Sequence, residues 1–121
     1  MATELWYLAT PYSKFEWGIE AAAQKAARIA GKLLKSGENI YSPIVHSHYI
    51  AMICGMDPLD HDYWLEADKA FMQRCDGLIV ALMPGWTKSK GIRMEIDAFQ
   101  KAKKPIRYYD PETDTFAPTT C

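Results

Sequence analysis

Two carboxylates stand where the sequence should place apolar side chains. Glu95 lies three residues after Ile92 and four before Phe99; Asp68 lies four after Trp64 and three before Phe71. At helical spacing, each shares a face with large apolar residues. A carboxylate on an inward face is costly unless it is paired or used. Two of them in unlike environments can divide the work of nucleophile and acid. At Glu95, burial pushes the pKa up and a helix N-terminus pushes it down; an ionised, poorly hydrated carboxylate there would be a good nucleophile. The plainer reading is structural: Glu95 satisfied by a hydroxyl or lysine, and Asp68 by backbone or a tyrosine.

Other residues could serve the same chemistry. Ser89 is a natural helix N-cap, at a place where backbone N–H groups can also hold a phosphate. Arg93, one turn further on, could bind that phosphate or block the pocket. Tyr7, Tyr12, Trp64 and Trp86 could stack on a base or simply fill a small core. Asp76 reads as a turn or cap residue. His46, His48 and His61 invite a metal reading, but His61 has no regular spacing to the other two, so no metal and no cofactor are expected.

The elements that must position these groups alternate. Strands are expected at 5–10, 39–44 (interrupted at Pro43), 77–83 and 105–109. An amphipathic helix spans 15–37, with Ile19, Ala22, Ala26, Ile29 and Leu33 on one face and Gly37 as its C-terminal cap. Residues 45–56 read as a short helix capped by Gly55. A helix from Asp57 as N-cap, with Pro58 at N1, runs to Arg74 with Trp64, Ala67 and Phe71 facing in. The last long helix covers 89–103, and the tail 110–121 reads as irregular. The result is one α/β domain over 1–121, a flavodoxin-like, doubly wound parallel sheet of four to five strands in the order 2-1-3-4. Ligands of such sheets bind beyond the carboxyl ends of the strands, where the order reverses. The loops 9–13 and 84–89 meet there.

Composition excludes several classes. The chain has 121 residues and a net charge of −1, so no field favours a nucleic-acid polymer or an anionic membrane. No apolar run is long enough to span a bilayer. The N-terminus carries Glu4 and no basic segment, unlike a signal peptide. Cys54, Cys75 and Cys121 are odd in number with no C-x-x-C, which fits a reducing cytoplasm; Cys75 reads as core.

"YLATPYS" (7–13), Asp68 eight residues before Asp76, the apolar run 77–83, "S-x-G-x-x-x-E" (89–95) and "KKPIRYY" (103–109) together resemble the nucleoside 2-deoxyribosyltransferase superfamily, which includes the 2′-deoxynucleoside 5′-monophosphate N-glycosidases. The resemblance covers residues 5–109 and is nearest to small, uncharacterised bacterial and phage members with "YSPIVHSH" and "PGW…S-x-G…E". It implies that Glu95 is the nucleophile attacking C1′ of a 2-deoxyribosyl nucleotide or nucleoside, and that Asp68 assists the departing base. Pro11, Gly85 and Gly91, from the same motifs, join Tyr7, Tyr12, Trp64, Trp86, Ser89 and Arg93 as substrate-binding positions. Ser89 stands where the glycosidases bind phosphate and the transferases carry an aspartate, which tilts the expectation toward a nucleotide and hydrolysis. Homodimers or higher homo-oligomers are also implied. Two other functions compete: a non-catalytic nucleotide-binding or sequestering module, and a TIR-like NAD glycohydrolase, which also uses a glutamate on a similar sheet.

Overall fold

The computed structural model describes residues 3–118. Its sheet begins with β1 (Leu5–Ala9), β2 (Asn39–Tyr41), β3 (Gly77–Ala81) and β4 (Ile106–Asp110), all parallel, and ends with a short antiparallel β5 (Thr115–Phe116). The order is β2-β1-β3-β4-β5, so the expected 2-1-3-4 arrangement holds and gains one strand. The helices are α1 (Ile19–Lys35), α2 (Pro43–Cys54), α3 (His61–Arg74) and α4 (Lys90–Lys101).

β3 is buried at every position, as a central parallel strand covered on both faces must be. Side chains alternate across it. Leu8, Ile79 and Tyr109 pack on one side with Ala22, Ile29 and Leu33 of α1. Tyr7, Leu78 and Val80 pack on the other with Met72 of α3 and Ile92 and Phe99 of α4. Cys75 belongs to this second cluster, as expected for a core cysteine. Asp76 exchanges hydrogen bonds with Leu5, its carboxylate accepting from the Leu5 N–H at 2.8 Å, and so ties the start of β3 to β1. Among the described residues no helix is long and apolar enough to cross a membrane.

Several boundaries differ from expectation, each for a local reason. α1 starts at Ile19 rather than 15, because Phe15–Gly18 is a turn closed by the Gly18 N–H to the Phe15 carbonyl. It ends as expected: Gly37 at φ 99° lets the Glu38 N–H reach the Leu33 carbonyl, a Schellman cap. β2 stops at Tyr41, since Ser42 caps α2 through the Val45 N–H and Pro43 takes the first helical position, so Ile44 is helical. α3 starts at His61 on an Asp60 cap. Asp57 instead accepts from the Leu59 N–H, and its carbonyl accepts from the Trp64 indole, which fixes 57–60 as a turn. The inward face of α3 runs through Leu65, Asp68 and Met72; Ala67 is exposed, and Phe71 lies at the edge, stacked on Tyr41. The tail is not wholly irregular: Phe116 packs on Tyr109 and over the Arg107 guanidinium, apolar contact enough to pin β5. Residues 119–121 of that tail, with Cys121, lie outside the described residues.

Gly77 is required by its neighbours. A Cβ there would sit 2.3 Å from the Trp6 ring and 2.9 Å from the Pro105 carbonyl. Arg107 lies over the same ring, so the indole has little room to give. Gly77→Ala is expected to destabilise the chain by roughly 1–3 kcal/mol, the usual cost of overpacking; a denaturant titration matching wild type would refute this.

Candidate functional site

Beyond the carboxyl ends of β1 and β3, the loop after β1, the start of α2, the face of α3 and the first turns of α4 enclose a cavity of about 130 Å³. Tyr7, Tyr12, Trp64, Asp68, Ser89, Gly91 and Glu95 line it. The cavity lies where the strand-end rule expects a ligand, although of the loop 84–89 only Ser89 lines it. Glu95 is carried there by α4, whose apolar face seats Ile92 and Phe99 in the core at about 1% exposure. Asp68 comes from α3. Between them stands Tyr7, buried in β1, its hydroxyl close enough to both carboxylates to favour their charged forms, as the Tyr41 hydroxyl does for Asp68.

The electrostatics follow from burial. Burial pushes Glu95 up from 4.5 to about 8, reinforced by the charge of Asp68, while the Tyr7 hydroxyl pulls the other way. Burial pushes Asp68 up to about 6 against hydrogen bonds from Tyr7 and Tyr41. Both phenols are raised far above their ordinary value by burial and the adjacent carboxylates, and stay neutral donors. The pair together holds one proton between about 6 and 8, a macroscopic property of both groups.

Four expected positions are not on the cavity wall. Pro11 is buried beside it. Gly85 sits at φ 84° in the turn that starts the short 3₁₀ segment Trp86–Lys88, and Trp86 packs on Tyr108. Arg93 is exposed and neither contacts nor blocks the cavity: two residues from both Gly91 and Glu95, it points roughly 200° round the helix from them. Lys90 lines the wall instead, as do Thr10, Ser47, His61 and Asp62. Thr10 was within reach of sequence reasoning, since it follows β1 directly. Its Oγ1 is buried and has no hydrogen-bond partner, and at 5% exposure a hydroxyl in that condition asks for one. Ser89 caps α4, accepting from the Ile92 N–H at 3.2 Å.

The three histidines do not converge. His46 bonds the Tyr41 hydroxyl, His48 bonds Tyr12 and Glu20, and His61 lines the cavity; among the described residues no group of three or more His, Cys, Asp or Glu side chains is placed to hold a metal. A larger hollow of about 330 Å³ between α3 and α4 contains Lys69 and Lys104 but neither carboxylate of the pair. Lys104 is already committed to the carbonyls of Met72 and Gln73, so the smaller cavity, with both carboxylates on its wall, is the candidate site. The model of a family described as Domain of unknown function (DUF1937) matches residues 4–111. No curated protein matches the chain.

Proposed function

The chain belongs to the DUF1937 family, whose description assigns no activity, and we propose from its cavity that it cleaves the N-glycosidic bond of a 2′-deoxynucleotide. The observation that carries this reading is that Asp68 and Glu95 line one cavity beside Tyr7, both carboxyls raised by burial. Acids perturbed by burial and by each other in a cleft at a strand end are candidates for a catalytic site. The sequence resemblance to the deoxyribosyltransferase superfamily, and with it the flavodoxin-like assignment of the sheet, points the same way.

In this mechanism Glu95 attacks C1′ and forms a glycosyl ester. Asp68 donates a proton to the departing base, and water then releases the sugar from Glu95. Tyr7 holds both carboxylates and lets the proton pass between them. The enclosed volume suits a sugar, leaving the base and phosphate toward the walls. Thr10, Ser89 and Lys90, with the first N–H groups of α4, would hold a phosphate. Ser89 uses its oxygen to cap the helix, which leaves its O–H to donate. Exposed Ile50, Met52 and Ile53 on α2 support the homo-oligomer that the resemblance implies.

Chromatography of nucleobase released from a panel of deoxynucleoside monophosphates tests the reading. Binding without any release would favour the sequestering module, and nicotinamide release from NAD the glycohydrolase. The phosphate site has its own test. Deoxynucleoside monophosphates are expected to bind more tightly than the matching nucleosides. Thr10→Val should leave thermal stability unchanged or slightly raised, because it removes a buried hydroxyl without a partner. It should weaken monophosphate binding by roughly tenfold to a hundredfold, the value of one hydrogen bond to a charged group. Calorimetry giving equal affinity for nucleotide and nucleoside would remove the phosphate.

A further inference from the structure

A second polar chain leaves the same cavity on its other side. The Tyr12 hydroxyl lies 2.6 Å from His48 Nδ1, and His48 Nε2 lies 2.6 Å from Glu20 Oε2. Tyr12 is on the cavity wall. His48, in the middle of α2, is about 1% exposed. Glu20, in the first turn of α1, has 60% of its side chain in solvent, and its other oxygen accepts from Gln24. The three residues come from three separate elements and run from the cavity to the surface.

The chemistry of each group fixes the direction of the chain. A carboxylate only accepts, so in the neutral ring the proton sits on Nε2 and is donated to Glu20. Nδ1 is then an acceptor, and Tyr12 must donate to it. The Tyr12 oxygen keeps lone pairs free to accept, on a residue that lines the cavity. A buried histidine that merely needed satisfying could use any two partners; here one partner is on the cavity wall and the other on the surface. Burial and the charge of Glu20 push Tyr12 up to about 12, so the phenol stays protonated and passes a proton on rather than losing its own.

We propose that Tyr12, His48 and Glu20 form a proton relay that activates the water releasing the sugar from Glu95. The proposal rests on the glycosidase reading above. Tyr12 is the catalytic residue, touching the water; His48 and Glu20 are positioning residues acting through it. In the step, the water O–H bond breaks and its proton goes to the Tyr12 oxygen, as the Tyr12 hydroxyl proton moves to His48 Nδ1. The water oxygen bonds to C1′. The C1′–O bond to Glu95 breaks, and its electron pair returns to the Glu95 carboxylate. His48 becomes an imidazolium whose Nε2–H stays on Glu20, which is not itself protonated. The ring later returns its proton to solvent when the product leaves.

The test separates the two half-reactions for wild type, Tyr12→Phe, His48→Gln and Glu20→Gln. Glu20→Gln changes a mostly exposed side chain and keeps the test open if a core variant fails to fold. The relay predicts an unchanged first burst of nucleobase followed by a slowed steady state, by about 10²–10⁴-fold for Tyr12→Phe, as for loss of a general base. A sugar adduct should then accumulate on the protein, visible by intact mass. Azide, which needs no proton removed, should restore turnover. Variants that turn over like wild type, or that slow burst and steady state alike, overturn the relay and leave the glycosidase reading standing. A wild type that releases no base overturns both.

Discussion

Glu95→Gln is expected to abolish nucleobase release while deoxynucleoside monophosphates still bind. The amide keeps the shape of the side chain and can still meet Tyr7. It has no negative charge and almost no nucleophilicity, so the covalent route closes. The loss should exceed the roughly 10²–10⁴-fold that removal of one general acid or base costs, because no neighbouring group replaces the bond to C1′. Calorimetry and base release on the same preparation check both halves. If the variant releases base as fast as wild type, Glu95 is only an inherited carboxylate.

The same variant should be more stable than wild type, by an amount that depends on pH. The folded value of Glu95 is raised to about 8 from 4.5. The folded chain therefore holds this proton longer than the unfolded chain does. The stability this contributes is fully present below 4.5 and is lost as pH rises through about 8. Glutamine does not titrate, so the melting-temperature advantage of Glu95→Gln should grow across that window and then level off. Comparing the two proteins at each pH cancels the other titrating groups, except Asp68, whose coupling to Glu95 is part of the effect.

The sequence showed the architecture and the two acids, because both are written in periodicity. A continuous apolar run marks β3, and the interrupted apolar face of α4 marks Glu95; Asp68 was reached from Trp64 and Phe71, although the inward face of α3 runs through Leu65 and Met72. It showed less of the wall around them. Arg93 is near Glu95 in sequence but on another side of the helix, so adjacency misled where angular position would not have. Gly85 and Trp86 stand in the loop at the strand end, but the short 3₁₀ turn sends the indole onto Tyr108. α2 offered no periodic signal, being apolar nearly all round, so His48 drew only a metal reading, which the spacing to His61 argued against. Its partners, Tyr12 and Glu20, are 36 and 28 residues away. Only the packing of α2 on α1 brings them together, and local spacing carries no trace of that contact.

Base release is expected to follow a bell-shaped pH profile in kcat/KM, with limbs near 6 and 8 that belong to the Asp68–Glu95 pair. Below the first limb both carboxyls are protonated and no nucleophile exists. Above the second both are ionised, so no acid remains for the leaving base. Rates should fall about tenfold per pH unit outside each limb. In the free protein the pair shares the proton, whereas the proposed reaction needs it on Asp68. Tyr7 reaches both, so the reactive arrangement forms when Glu95 gives its proton to the Tyr7 oxygen and Tyr7 passes its own to Asp68. Asp68→Asn separates the contributions. It removes the acid and also the charge that raises Glu95. The residual rate should be low, should lose its alkaline limb, and should rise to a plateau with a midpoint below 8. A bell that persists unchanged in Asp68→Asn would assign the alkaline limb to another group and remove Asp68 from the chemistry.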